Sequence, residues 1–366
     1  MSAEARPIIQ PELRHAFVAL DGLRGIAAVS VVLFHYSIHL GRPLLPSAYL
    51  AVDFFFALSG FVIAHAYERR LQAGQSTGEF MMRRLIRLYP LYWVGMTLPL
   101  VVIGLDASVG LPHLNRALAG ISYMFGMLFL PTPDRFSPIG GFTFPLNDPA
   151  WSLSLEIAVN ALYAAALVRL SGRHLSIFTL LAGAALVATA SLQSDFNAGN
   201  TWPLYLGGWT RVLWSFFAGI LLHRLYARRA RRQLPPWTAV PLSVLILAIF
   251  TAPQTGRLYG LANALVVFPA IIWIGASIKL DGAWAGVAAV LGATSYALYI
   301  THLPVLQAVL GLAALMRIDL AAAFWPAIAG TVAIAVYGAY LLDLYYDAPV
   351  RRLLTMRLAS SGAGGA

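Results

Sequence analysis

Apolar runs of about twenty residues, broken by short polar stretches, follow one another along almost the whole chain and set the strongest limit on its fold. A helix needs about 20 apolar residues to cross the hydrocarbon core, whereas a barrel strand needs about half that and alternates apolar with polar positions. The runs here are continuous, so they indicate helices. Hydrophobic residues make up 59% of the 366 and charged ones 11%, and the mean hydropathy is +0.73, an excess no soluble fold needs. The expected fold class is all-α: a polytopic membrane helical bundle.

Apolar runs fall at 16–40, 45–67, 88–106, 116–130, 150–170, 175–193, 203–226, 237–252, 258–278, 285–311 and 320–346. The first is too long for a signal-peptide core and has no small-residue cleavage site, so it reads as a retained helix. If every run crossed, Arg228, Arg229, Arg231 and Arg232 would face the side opposite Arg69, Arg70, Arg83 and Arg84, against the positive-inside rule. The short 116–130 run adjoins a loop rich in Pro, Gly and Asn. Taking 107–149 as one outside region with a re-entrant or interfacial helix leaves ten crossings and both termini cytoplasmic. Of the 25 Lys and Arg, 18 then lie inside, five outside, and Arg24 and Arg211 within the membrane. This placement explains a pI near 10 without nucleic acid. The expected organisation is a cytoplasmic tail over 1–15, a membrane domain over 16–350 and a partly disordered cytoplasmic tail over 351–366. The absence of cysteine excludes disulfides, thiolate catalysis and cysteine metal sites.

Within the first run, Arg24 and His35 stand eleven residues apart. At 100° per residue that step returns to within about 20° of its start, so both lie on one helix stripe, about 16 Å apart along the axis. A mid-helix arginine costs about 2.5–3.5 kcal/mol in a bilayer even on lenient scales, which marks such residues as functional suspects. His35, Asp53, Glu156, Arg211 and His302 are expected in the outer halves of their helices. Arg24, Arg84 and Arg87 are expected at the cytoplasmic level. An imidazole near carboxylates suits a general base, and clustered arginines suit phosphates. His15, His39, His65, His113, His174 and His223 have no metal-ligand spacing, and no metal site is expected.

Several segments occur in a characteristic order: Arg24-x10-His35, Val52-Asp53-Phe54-Phe55 to Ser59-Gly60-Phe61, Arg84-x-x-Arg87-Leu-Tyr-Pro, and Trp151-Ser152-Leu153-Ser154-x-Glu156. The Arg211…Phe217…Gly219 helix, Ser295-Tyr296-x-x-Tyr299-x-x-His302-x-Pro304 and Asp347-x-Pro349-x-Arg351-Arg352 follow. Together they resemble the acyltransferase-3 family of integral membrane O-acyltransferases, from Leu20 to Arg352. The resemblance implies that His35, Arg24 and Glu156 are necessary and that acyl-CoA is the donor. Two departures stand out. Val159 and Asn160 occupy positions where many members carry Phe-Tyr, with the aromatic delayed to Tyr163, so the acceptor pocket is expected to differ. No extracytoplasmic hydrolase-like domain, which some relatives attach, is expected after the last span.

The expected enzyme is an O-acyltransferase of the cytoplasmic (inner) membrane, moving an acyl group, acetyl by expectation, from acyl-CoA to a hydroxyl of an extracytoplasmic or lipid-linked glycan. The expected catalytic residues are His35, Glu156 and Asp53, with Arg24, Arg84 and Arg87 on the CoA phosphates. Ser59, Trp151, Ser152, Arg211 and His302 are candidates for the substrate pocket. Membrane lipid is a further expected partner, and nucleic acid is not expected. Direct transfer and an acyl-enzyme on His, Ser152 or Ser154 are both open to these residues. The rival class is a transporter or flippase using the buried Arg, His and Glu as a relay; it requires inverted repeats, and the two halves show none. The topology is testable in this cysteine-free chain. Single cysteines at Asp134 and Ala230 should react with an impermeant maleimide from opposite sides, and reaction from one side would show that 116–130 crosses.

Overall fold

The structure, a computed structural model, describes residues 17–104, 115–193, 196–229, 233–253 and 256–363. The expected N-terminal tail, His113, Arg231 and Arg232 lie outside them. The helices are α1 Val18–His39, α2 Ala51–Gln72, α3 Thr77–Gly104, α4 Arg116–Met127, α5 Ala150–Leu162, α6 Gly172–Leu192, α7 Tyr205–Arg228, α8 Ala239–Thr251, α9 Arg257–Ala262, α10 Phe268–Ala276, α11 Gly282–Leu315, α12 Phe324–Leu342 and α13 Ala348–Ala363. π-turns at Tyr163–Leu167, Asn263–Val267 and Asp343–Asp347 extend α5, join α9 to α10 and join α12 to α13. Among the described residues no strand forms, and eight helical segments are long and apolar enough to cross a membrane. The eight are α1, α2, α3, α5, α6, α9–α10, α11 and α12–α13. Helix α7 is 24 residues long but carries Arg211, His223, Arg224 and Arg228, and the apolar segment Pro236–Thr251 containing α8 is shorter.

Helix directions separate α4 from the crossings. Helices α2 and α7 run the same way, because Asp53 meets Arg211 near their N-terminal ends and Glu68 meets Arg224 near their C-terminal ends. Two crossings in one direction have an odd number between them. Helices α3, α5 and α6 satisfy that; a crossing α4 would not. Helices α1 and α11 obey the same count, with Gly22 beside Ala288 and Tyr36 bonded to His302. At 12 residues α4 is about 18 Å long, well short of a hydrocarbon core of about 30 Å. It runs back along α3, Tyr123 meeting Thr97 and Gly126 meeting Tyr92. Its segment is therefore re-entrant.

Prolines and one asparagine hold that segment. A helical proline has no N–H, so the carbonyl four residues earlier loses its partner. Pro99 in α3 and Pro304 in α11 thereby free the carbonyls of Gly95 and Ile300. The Asn147 amide donates to both, at 2.9 Å and 2.8 Å, and the residue is 1% exposed. Helix α5 begins three residues later. It therefore starts level with Gly95, about 27 Å above Thr77 along α3 and about 13 Å below Gly104.

Close approach of helices needs small residues where apolar side chains gain nothing by leaving lipid. At the α2–α7 crossing, a Cβ on Gly60 would stand 1.9 Å from the Phe216 carbonyl oxygen, and one on Gly219 would stand 2.0 Å from that of Ala57. Only glycine fits there. At the C-terminal end, the stretch expected as a tail continues as helix α13 to Ala363, anchored where Asp347 meets both Arg351 (2.7 Å) and Arg87 of α3 (3.5 Å).

Replacing Asn147 with Leu should leave the Gly95 and Ile300 carbonyls buried without donors. At about 1–3 kcal/mol for each of the two stranded groups, stability to unfolding in detergent should fall by about 2–6 kcal/mol. Asn147→Asp should be no better, since a carboxylate offers these carbonyls no hydrogen.

Candidate active site

A cavity of about 200 Å³ opens between α1, α2, α3, α5 and α11. Arg24, Arg84 and Arg87 line it together with Ser59, Glu156, Ser152 and Tyr299. Glu156 accepts hydrogen bonds from Ser59 Oγ (2.6 Å) and Arg84 Nη2 (3.0 Å). Arg24 donates to Ser295 Oγ (2.9 Å) and the Gly292 carbonyl (2.7 Å), and pairs with Asp21. The Arg87 side chain is 34% exposed, more than those of Arg24 (30%) and Arg84 (13%). Its carboxylate partner Asp347 is held more closely by Arg351, so Arg87 is the cavity cation most easily drawn to another anion.

Along α11, Ser295, Tyr299 and His302 follow one stripe, because steps of four and seven residues return close to the same helix face. Tyr299 lies in the cavity wall, with its hydroxyl 2.7 Å from Ser152 Oγ and its ring centroid 6.1 Å from that of His302. His302 in turn meets His35, Nε2 to Nδ1 at 3.0 Å. Arginines, Tyr299, His302 and His35 thus form a continuous column from the arginine-rich end into the bundle. Neither histidine lines the cavity itself. Ser295, Tyr296 and Tyr299 belong to the serine-tyrosine motif but were not among the sequence candidates; the stripe that Ser295 and Tyr299 share with His302 was the available signal.

The residues expected together in the outer halves separate into three groups. His35 and His302 form the first. The second is Asp53 with Arg211: the carboxylate receives Nη2 at 2.7 Å and Nε at 3.2 Å, both side chains are buried, and Arg211 also donates to the carbonyls of Ala198 and Tyr49. Trp151 lies against this pair, its ring 5.8 Å from the guanidinium. Asp53 therefore does not flank His35, because the arginine of α7 occupies its oxygens. Glu156, the third, stands with Arg84 at the level expected for the arginines alone. The cause is the low start of α5, which lowers every residue after Asn147. Tyr163 points away from the cavity and donates to Glu68, itself paired with Arg224. Among the described residues no three His, Asp or Glu converge as metal ligands.

The Asp53–Arg211 pair should behave as a buried structural ion pair. Arg211→Met alone strands a buried carboxylate and should cost about 3–5 kcal/mol, whereas Arg211→Met with Asp53→Leu should recover most of that loss. Thermal unfolding of the purified variants distinguishes the two; no recovery in the double variant would show that the pair does more than hold α2 to α7.

The chain is similar to several bacterial proteins. Protein 2 in the picA locus of Rhizobium radiobacter is 43% identical over 157 residues, which is 40% of this chain and 81% of that protein. A Staphylococcus aureus (strain COL) protein named "Putative O-acetyltransferase" is 24% identical over 320 residues, 79% of this chain and 50% of its own length. Peptidoglycan O-acetyltransferase OatA of Listeria monocytogenes is 26% identical over 141 residues, 38% of this chain and 22% of its own. The chain thus spans half or less of the two relatives named as O-acetyltransferases. No solved structure matches it. A family model described as an acyltransferase domain matches residues 17–344, from the start of α1 through the end of α12, and the chain belongs to the acyltransferase-3 family.

Proposed function

We propose that the protein is a membrane O-acyltransferase that takes an acetyl group from cytoplasmic acetyl-CoA and transfers it to a hydroxyl of an extracytoplasmic or lipid-linked glycan. The observation that carries this reading is the column from the three cavity arginines to His35. Arginine forks suit the CoA phosphates, and Arg87 is the first available to them. The thioester then reaches the Ser152–Tyr299 end of the cavity, next to the histidines. Glu156 works on the donor side, holding the Arg84 guanidinium toward the cavity.

In the transfer, the His35 imidazole removes the proton of the acceptor hydroxyl as its oxygen attacks the thioester carbonyl. The ester C–O bond forms, the C–S bond breaks, and the CoA thiolate takes the proton from the imidazolium. No acyl-enzyme is required. The acceptor class is supported by the Listeria relative, named a peptidoglycan O-acetyltransferase.

Release of CoA thiol from acetyl-CoA reports turnover without background, since the chain contains no cysteine. His35→Ala should abolish release while leaving CoA binding intact. Arg87→Gln should weaken CoA binding about 10- to 100-fold, the worth of a charged hydrogen bond of about 1.5–3 kcal/mol. Its structural cost should be small because Arg351 still neutralises Asp347. Turnover retained in His35→Ala would overturn the proposal.

A further inference from the structure

His302 is fully buried on α11, and both of its ring nitrogens face a neighbour. Its Nδ1 stands 2.7 Å from the Tyr299 carbonyl oxygen and 3.3 Å from that of Leu298. A carbonyl only accepts, so the hydrogen of a neutral His302 sits on Nδ1 and its Nε2 presents a lone pair. That lone pair faces Nδ1 of His35 at 3.0 Å. The other neighbour of His35 Nδ1 is the Val31 carbonyl oxygen at 3.1 Å, again an acceptor. Nδ1 of His35 is therefore faced by acceptors from two helices.

We infer, building on the base role of His35 proposed above, that His302 is the positioning residue that fixes His35 as its Nδ1–H tautomer and leaves Nε2 as the basic nitrogen. The Nδ1–H of His35 donates to His302 Nε2, and the opposite ring nitrogen is the one free to take the acceptor hydroxyl's proton. When that proton arrives, the same hydrogen bond stabilises the imidazolium, and it is released to the departing CoA thiolate. The place a carboxylate holds behind the histidine of a serine hydrolase is filled here by a neutral imidazole. A neutral partner suits a bundle core, where a buried carboxylate needs a cation of its own, as Asp53 has in Arg211. The backbone of His302 is anchored from α1: Tyr36 Oη donates to its carbonyl at 2.9 Å, tying α1 to α11 at this level.

The test combines a direct measurement of the tautomer with kinetics. In detergent-purified protein carrying ¹⁵N-histidine, with His35 assigned by difference against His35→Gln, the His35 signals should be those of an Nδ1–H imidazole. In His302→Leu, acetyl-CoA turnover should fall about 10- to 100-fold with KM for acetyl-CoA and CoA affinity unchanged. His302→Gln, whose amide oxygen takes roughly the place of Nε2, should restore part of the rate. His302→Asn, too short to reach His35, should not. An Nε2–H tautomer at His35 in the wild-type protein would overturn the inference, as would His302→Leu turnover within twofold of wild type. His302→Gln no faster than His302→Asn would overturn it too. The tautomer is read without any reaction. If His35→Ala still releases CoA, the acyl-transfer reading fails while the tautomer stands; an inactive His35→Ala with an Nε2–H tautomer in the wild type sinks the positioning role alone.

Discussion

The active-site region depends on how two proline-freed carbonyls are satisfied. Lipid offers them no hydrogen, and each would cost several kcal/mol if left bare. Asn147 supplies both N–H groups from a single amide, and to do so its segment must enter the bundle between α3 and α11. That entry places α4 as a re-entrant helix and starts α5 well below the end of α3. Ser152 and Glu156 reach the cavity as a result.

Around that point the polar side chains divide between two helix pairs. The α2–α7 pair carries charges that satisfy each other: Asp53 with Arg211 and Glu68 with Arg224, on either side of the close glycine crossing. These pairs hold the bundle and expose little charge to other molecules. The α1–α11 and α3–α5 faces differ. Their arginines border a cavity, and the two central histidines face each other without a carboxylate. Buried charge thus falls largely on the structural pair, while the proposed chemistry is assigned to imidazoles that can take up and release a proton.

The cavity cations are also restrained. Asp21, Glu156 and Asp347 meet Arg24, Arg84 and Arg87 in turn, so the phosphates of the proposed donor would compete with carboxylates. Competition is weakest at Arg87, because the π-turn before α13 sets Asp347 against Arg351 as well. The C-terminal helix is in this way coupled to the arginine end of the cavity.

The helical membrane class, a 116–130 run that does not cross and the shared stripe of Arg24 and His35 were legible in the sequence. Each follows from local quantities: run length, the sign of flanking charges and the angular period of a helix. Which polar residues meet was not legible, because partners of buried side chains come from other helices, 72 to 271 residues away along the chain. Asp53 and Glu156 are equally acidic in sequence, yet Arg211 of α7 claims one and Arg84 of α3 the other. The level of Glu156 depended on Asn147 reaching two distant prolines, and the partner of His35 depended on α1 and α11 running parallel in contact. Period and hydropathy determine that helices cross the membrane and which face each presents; only the packing of those faces decides which side chains share a cavity.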